Sequence, residues 1–348
     1  MFFLVVAVVG LSGGKLFFFA ILPAQQGSSA SQILEVRKNA GPGELAQLLG
    51  TNGIISSPAQ FIWLGRLTRQ WPRVKAGEYK LSPSMSPLQV FRVITSGISV
   101  SHSLVIREGE NIYEIAAELQ QRGLIDGRKF LRLCRDPIFI KSLGFLDFIP
   151  DSLEGYLFPD TYFFNRSTSV EELVRTMVKR FFSVWGQSDE IRATQLKMTR
   201  HQVVTLASII EKETGASNER PIISSVFHNR LAKRMRLQSD PTTIYGIWEK
   251  YEGNLRKSDL TAETPYNTYT IRGLPKGPIS NPGKEALQAA LFPAESEYLF
   301  FVSHNDGTHE FTKTFAEHDQ AVKAFQIDRK AREGKSWRDL KKTLNPGS

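Results

Sequence analysis

The chain has 348 residues, and its 44 lysines and arginines outnumber 35 acidic residues, which gives a net charge of +9. This length allows two or three domains, and the positive charge favours an anionic partner such as nucleic acid, anionic lipid or an acidic polysaccharide. Nucleic acid is disfavoured because the basic residues are spread along the chain, without zinc-finger spacing or a glycine-rich phosphate loop. Because Cys134 is the single cysteine, an intrachain disulfide and a cysteine-based metal site are both excluded.

The N-terminal residues 1–24 predict a membrane anchor. They carry one charge, Lys15, and as a helix would extend over about 36 Å, enough to span the hydrocarbon core. Two alternatives stay open, a cleaved signal peptide and a buried apolar terminus, since a lysine near the middle of the run is costly in lipid. An anchor or a signal would place the rest of the chain outside the cytoplasm. Residues 25–32 predict a short polar linker.

Two stretches, 36–55 and 106–125, repeat one pattern at an offset of 70 residues. Each predicts a short strand, a turn and an amphipathic helix closed by a glycine. The elements expected between them are a helix at 58–70, a strand at 74–82 and a helix at 87–96. We therefore expect an α+β module over 33–102 and a second α+β segment over 103–150.

From about residue 150 the sequence becomes richer in aromatic residues and in helical periodicity. The helices expected there are 170–185, 199–214, 217–234, 284–292 and 315–333. Residues 298–303 and 309–314 predict a β-hairpin. The interpretation is one mixed, mainly helical domain over 151–335, followed by a flexible tail at 336–348, so the chain as a whole is expected to be α+β.

The segment LASIIEKETG, residues 206–215, places Glu211 and Glu213 at the end of an apolar helix. Thr199 and Gln202 fit a capping box that sets the helix register. In that register the two glutamates point about 200° apart, so at most one of them can serve a single cleft as its reactive acid. Partial burial would raise the pKa of such an acid, and the small residues before Glu211 would leave room for a ligand. The alternative is that both carboxylates are solvated.

Two polar segments follow this helix. In the first, Asn229 lies beside Arg230 on an otherwise apolar helix, and Asp240 fits the N-cap of the next helix. The second, 264–287, is long, rich in tyrosine, asparagine and threonine, and broken by prolines and glycines. Such loops inside a domain are often functional, and their side chains suit a sugar site. The histidines are scattered, so no metal site is expected.

Five motifs occur in order along the chain and together are specific. They are EGYLFPDTY, LASIIEKETG, VFHNRL, MRLQSDPTTIYG and YNTYTIRGLPKGPISNPG. With them the chain resembles the MltG / YceG-like endolytic murein transglycosylases over about residues 33–333. This resemblance implies a single-pass protein of the bacterial cell membrane, with a LysM-like subdomain before an extracytoplasmic catalytic domain. It also implies lytic cleavage of nascent peptidoglycan glycan strands, no cofactor, and peptidoglycan synthases as partners.

The resemblance assigns the catalytic role to Glu211, the first glutamate of the E-K-E-T motif. As general acid it would protonate the glycosidic oxygen between N-acetylmuramic acid and N-acetylglucosamine. Its carboxylate would then accept the proton of the C6 hydroxyl that closes a 1,6-anhydro ring. The residues expected in the substrate cleft are Gln238, Asp240, Tyr266, Asn267 and Tyr269, with Asn229 and Glu154 as further candidates.

Two other functions stay open at this point. One is a muramidase-type hydrolase, in which Glu211 would act with Asp240 or Glu154, because hydrolysis normally needs a second carboxylate. The other is a membrane-tethered, non-catalytic protein that binds peptidoglycan and serves as a scaffold for wall synthases.

Overall fold

The computed structural model describes residues 14–123, 125–145, 148–166, 168–213 and 217–327. These residues form two units. The described part of 1–104 together with that of 162–169 makes the first unit, and residues 105–161 with the described part from 170 onward make the second. The predicted mixed α+β class is confirmed, with short antiparallel strand pairs among many helices.

The first unit is built on an antiparallel strand pair covered by three helices. Its elements are β1 (Gln32–Val36), α1 (Pro42–Thr51), α2 (Pro58–Leu67), β2 (Gly77–Leu81) and α3 (Pro87–Ser96). Gln32 lies opposite Leu81 and Val36 opposite Gly77. Phe61 stacks on Phe91 with ring centroids 4.1 Å apart, and buried aliphatic side chains surround this pair. The helix, strand and helix expected between residues 58 and 96 are therefore confirmed.

The repeated pattern adopts the same local structure twice. Strand β3 (His102–Val105) and helix α4 (Ile112–Gln121) repeat β1 and α1. Gly53 and Gly123 follow the two helices with φ of 70° and 64°, a left-handed conformation that favours glycine. Strand β3 pairs with β4 (Thr161–Phe164), which the sequence did not predict.

The second unit is mainly helical. Its further helices are α5 (Gly127–Leu133), α6 (Pro137–Lys141), α7 (Val170–Val184), α8 (Gln187–Gln195), α9 (Arg200–Glu213), α10 (Arg220–Ala232), α11 (Asp240–Gly246), α12 (Lys257–Leu260), α13 (Lys284–Leu291) and α14 (Phe315–Val322). The predicted hairpin is confirmed as β5 (Phe300–Ser303) paired with β6 (His309–Thr312). Sequence reasoning missed the short helices α5, α6, α8 and α12, whose few turns give little periodic signal.

Helix α9 lies at the centre of the second unit and carries both glutamates of the E-K-E-T motif. Residues 203–210 are all buried, because α9 packs against α10 and α13. The predicted capping box is present, since Gln202 N donates to Thr199 Oγ1 and Thr199 N donates to Gln202 Oε1. Since residues 203–210 are buried all around the helix, the charged side chains of α9 lie only near its two ends. The glutamates lie at one of these ends.

The predicted anchor falls partly outside the described residues, which begin at residue 14. Residues 14–21 are helical. Within the part of the chain that the structure describes, we find no helix with the length and apolar composition that a bilayer span requires. The predicted tail at 336–348, and the end of the predicted helix 315–333, also lie outside the described residues.

Candidate active site

Glu211 is held between the beginnings of two other helices. Its Oε1 accepts a hydrogen bond from Arg220 Nη2 at 3.0 Å, and its Oε2 accepts one from Gly283 N at 2.9 Å. The side chain is only 5% exposed. Both carboxylate oxygens therefore have protein donors, and the alternative that Glu211 is solvated is wrong.

Arg220 is the centre of a cluster of charged side chains, which we call the Arg220 cluster. Besides Glu211, Arg220 pairs with Glu285, and its Nη2 lies 3.9 Å from Glu108 Oε2. The Glu108 carboxylate lies where a side chain on Gly283 would have to be, so the glycine is needed for this approach. Burial and the nearby charge of Glu211 raise the pKa of Glu108.

The space beside the small residues before Glu211 is already filled. Ser208 is fully buried, and its Oγ accepts a hydrogen bond from Ile279 N at 3.0 Å. Ser280 Oγ donates to Ser208 O. The predicted room for a ligand on this side of α9 is therefore occupied by part of the loop 264–287.

Glu213 faces a different part of the unit and lines a pocket of about 410 Å³, which we call the Glu213 pocket. Three of the predicted cleft residues line it too: Gln238, Asp240 and Tyr269. The remaining walls are supplied by Arg230, Leu237, Phe300, Phe301, Phe315 and His318. The structure thus brings these predicted cleft residues to the second glutamate of the motif, whereas the predicted acid Glu211 is not among the pocket residues.

The environment of Glu213 favours a protonated carboxyl group. Burial raises its pKa to about 7, with the Asp240 charge acting in the same direction against the Ser239 hydroxyl and Arg230. Ser239 Oγ donates to Glu213 Oε1 at 2.5 Å. This leaves Oε2 without a partner among the described residues. A carboxyl group that can hold a proton near neutral pH at a pocket wall is suited to general acid catalysis.

The turn before α11 shapes one side of the Glu213 pocket. Gln238 has a φ of 51°, an uncommon conformation for a non-glycine residue that often marks functional sites. The prediction that Asp240 is the N-cap is wrong by one residue, because α11 begins at Asp240 and its N-cap is Ser239. The Ser239 hydroxyl makes no capping bond and is directed to Glu213 instead. Asp240 Oδ1 accepts a hydrogen bond from Tyr269 Oη at 2.7 Å.

The other predicted cleft residues are engaged inside the protein. Asn267 is fully buried, and its amide binds Thr243 Oγ1, Tyr269 N and the carbonyl groups of 259, 260 and 262. Tyr266 packs edge-on against Tyr245, with 4.8 Å between ring centroids. Asn229 Nδ2 donates to Ser296 O and Tyr298 O. These contacts organise the loops around α11 and the hairpin and leave the Asn267 amide without a free group for a sugar.

Glu154 is a buried carboxyl group inside the second unit. It is 1% exposed and accepts hydrogen bonds from Ile112 N, Tyr245 Oη and Asn281 Nδ2. Burial raises its pKa to about 8. Because Glu154 is enclosed and bonded to three separate segments of the chain, it links those segments, and a substrate cannot reach it.

In the ranges that the structure describes, no three histidine, cysteine or carboxylate side chains lie close enough together to hold a metal ion. Cys134 is a free, buried cysteine.

Comparison with known proteins identifies the family. A profile of the YceG-like family matches residues 34–324. The chain belongs to the YceG-like family. A YceG-like protein from Listeria monocytogenes has a solved structure that superposes with a TM-score of 0.57 at 32% identity, covering 84% of this chain and all of that one.

Two curated relatives of this YceG-like protein carry the same name. The endolytic murein transglycosylase of Bacillus subtilis is 31% identical over 316 residues, which cover 87% of each chain. The endolytic murein transglycosylase of Streptococcus pneumoniae strain R6 is 26% identical over 90% of this chain. The match spans 62% of the length of that streptococcal relative.

Sequence reasoning missed several residues of the Glu213 pocket. It also missed Ser239, which is not a pocket residue but donates to Glu213, because Asp240 and Pro241 fitted the helix start by composition. Arg230 stands out in the sequence as a polar residue on an apolar helix. The structure explains its presence there, because its side chain lines the pocket. Phe300, Phe315 and His318 come from the hairpin and α14, 87 to 105 residues after Glu213, and no local pattern links them to it.

Proposed function

We propose that this chain cleaves peptidoglycan glycan strands as an endolytic murein transglycosylase and that Glu213 is its general acid. The observation that carries the assignment is the Glu213 pocket, where a carboxyl group with a pKa of about 7 lies beside Gln238, Asp240 and Tyr269. The activity is that of the curated relatives, and the five motifs that indicated it lie between residues 154 and 283. Glu211, the acid that the sequence favoured, stays the alternative.

Glu213 is better suited than Glu211 to be the general acid, because the two carboxyl groups differ in the hydrogen bonds that their oxygen atoms accept. Arg220 and Gly283 donate to the two oxygens of Glu211. Glu213 accepts from Ser239 through Oε1, and its Oε2 is available to carry a proton towards a ligand. A general acid must reach the leaving oxygen directly or through one water molecule. A carboxyl group on the wall of a pocket meets that condition.

The proposed reaction uses this single carboxyl group twice. Protonated Glu213 donates its proton to the oxygen between N-acetylmuramic acid and N-acetylglucosamine, and the C1–O bond breaks. The resulting carboxylate then accepts the proton of the muramoyl C6 hydroxyl, whose oxygen forms a bond to C1. The proton count returns to its starting value, and the products are a 1,6-anhydro end and a free N-acetylglucosamine end.

Asp240 supports a second candidate, a muramidase-type hydrolase, because it places another carboxylate on the same pocket. Mass spectrometry of the products from uncrosslinked glycan strands separates the two reactions. We expect 1,6-anhydro-muramic ends. Reducing ends, heavier by one water, would instead establish hydrolysis. Intact strands after prolonged incubation with folded protein would contradict both reactions.

The pH dependence of the reaction follows from the Glu213 pKa of about 7. A general acid is active when protonated, so kcat/KM is expected to be high on the acidic side and to fall as the pH rises through about 7. Initial rates on uncrosslinked strands between pH 5 and 9, with folding checked by circular dichroism at each pH, measure this. A rate that is flat or increases from pH 6 to pH 8 would contradict the assignment.

We propose from the sequence alone that residues 1–24 anchor the chain in the cell membrane. A run of this length with a single charge, Lys15, supports it. The module 33–102, which the resemblance implies to be LysM-like, would then be extracytoplasmic, near peptidoglycan synthases that deliver new strands.

A further inference from the structure

Two side-chain nitrogens of residues that line the Glu213 pocket have no hydrogen-bond partner among the described residues. His318 Nδ1 is buried and has no hydrogen-bond partner among the described residues. Arg230 donates from Nε to Leu299 O and from Nη1 to Leu237 O, and we find no bond from its Nη2 to any described residue. A buried polar atom without a partner is costly, and His318 Nδ1 is such an atom, which indicates that it binds a ligand.

Both groups lie against the same aromatic ring. The His318 ring stacks on Phe300 with 5.1 Å between centroids and 22° between planes, and the Arg230 guanidinium carbon lies 5.2 Å from the Phe300 centroid. Burial, followed by the Arg230 charge, lowers the pKa of His318. A neutral imidazole offers one N–H donor, and the adjacent guanidinium contributes a fixed positive charge.

This combination indicates the chemistry of the ligand. A guanidinium and an imidazole N–H both require an acceptor oxygen, and the positive charge prefers a carbonyl or carboxylate oxygen to a hydroxyl group. In a peptidoglycan strand, N-acetylmuramic acid carries a 3-O-lactyl group with such an oxygen. N-acetylglucosamine has a hydroxyl group at the same carbon.

We propose that Arg230 and His318 recognise the lactyl group of an N-acetylmuramic acid residue bound in the Glu213 pocket. This assignment rests on the proposed function, because the sugar whose C1–O bond breaks must lie beside the acid. It makes the pocket selective between the two alternating sugars, so that cleavage occurs on one side of N-acetylmuramic acid only.

Binding to a cleavage-deficient protein tests the assignment separately from catalysis. The full-length chain carrying Glu213→Gln is titrated calorimetrically with a peptidoglycan tetrasaccharide and with chitotetraose, which has no lactyl group. We expect at least tenfold tighter binding of the peptidoglycan tetrasaccharide. His318→Phe, which keeps a ring on Phe300 and removes both nitrogens, should weaken that ligand about tenfold and leave chitotetraose unchanged. His318→Gln, which restores a donor, should recover part of the loss.

The control is His304→Phe, because His304 lies outside the Glu213 pocket and binds Thr308 and Glu310. It should leave both affinities unchanged. Equal affinity for the two tetrasaccharides, or an equal loss of both in His318→Phe, would overturn lactyl recognition. Cleavage of strands by the wild-type chain is measured in parallel, so that failure of the proposed reaction and failure of this assignment give different results.

Discussion

Replacing Glu213 by glutamine is expected to lower kcat for glycan cleavage by about 10²–10⁴-fold, the usual contribution of a general acid. Glutamine has almost the same shape and can still accept the hydrogen bond from Ser239, which is 2.5 Å long in the wild-type protein. It has no proton to donate to the glycosidic oxygen. KM should therefore change little, since the Glu213 pocket keeps its walls. Product formation from uncrosslinked strands, followed by liquid chromatography and mass spectrometry, gives both constants.

Glu211→Gln is the matched control, because it makes the same chemical change two residues earlier on α9. Its carboxylate lies in the Arg220 cluster and is 5% exposed, so the variant should lose stability but keep most of its kcat. Thermal unfolding of both variants shows whether each is folded at the assay temperature. A folded Glu211→Gln protein without activity, beside an active Glu213→Gln protein, would return the chemistry to Glu211 as the sequence predicted.

Replacing Arg220 by methionine is expected to lower the free energy of unfolding by about 3–5 kcal/mol, as removal of one partner from a buried ion pair usually does. The Arg220 side chain is 9% exposed and that of Glu211 is 5% exposed. The substitution would leave the Glu211 carboxylate buried beside Glu108 and Glu285 without its positive partner. Urea unfolding, monitored by circular dichroism, measures the difference from the wild-type protein.

Two further variants test this explanation. Glu285→Gln removes a partner of Arg220 that is 64% exposed, so it should cost less than about 1 kcal/mol. The double variant Arg220→Met, Glu211→Leu removes both buried charges and should recover much of the lost stability. An Arg220→Met protein as stable as the wild type, or a double variant less stable than the single one, would contradict a buried ion pair as the source of the effect.

Several parts of the fold follow from local sequence rules and were predicted correctly. The capping box at Thr199 and Gln202 set the register of α9, and the repeated strand–turn–helix pattern ended at glycines that adopt positive φ. The hairpin of β5 and β6 follows from an apolar run at 298–303 and a second strand-like segment at 309–314, with the turn residues Asn305, Asp306 and Gly307 between them. These signals involve residues within a few positions of one another, so the sequence contains them directly. Short helices and strand β4 lack such signals, and they were missed.

The site was predictable in its composition but not in its arrangement. The sequence by itself determined that two glutamates end a buried helix, that they point to different sides, and that the loops after them carry tyrosine, asparagine and aspartate. Only the tertiary structure decided what meets each glutamate. Arg220 and Gly283 approach one side of α9 and bind Glu211. On the other side Ser239 binds Glu213, and the hairpin helps to form the pocket there. The physical reason is that helical periodicity determines the direction of a side chain on its own helix. The partners of that side chain come from segments up to about 100 residues away in the chain, and the positions of those segments depend on the packing of the whole unit.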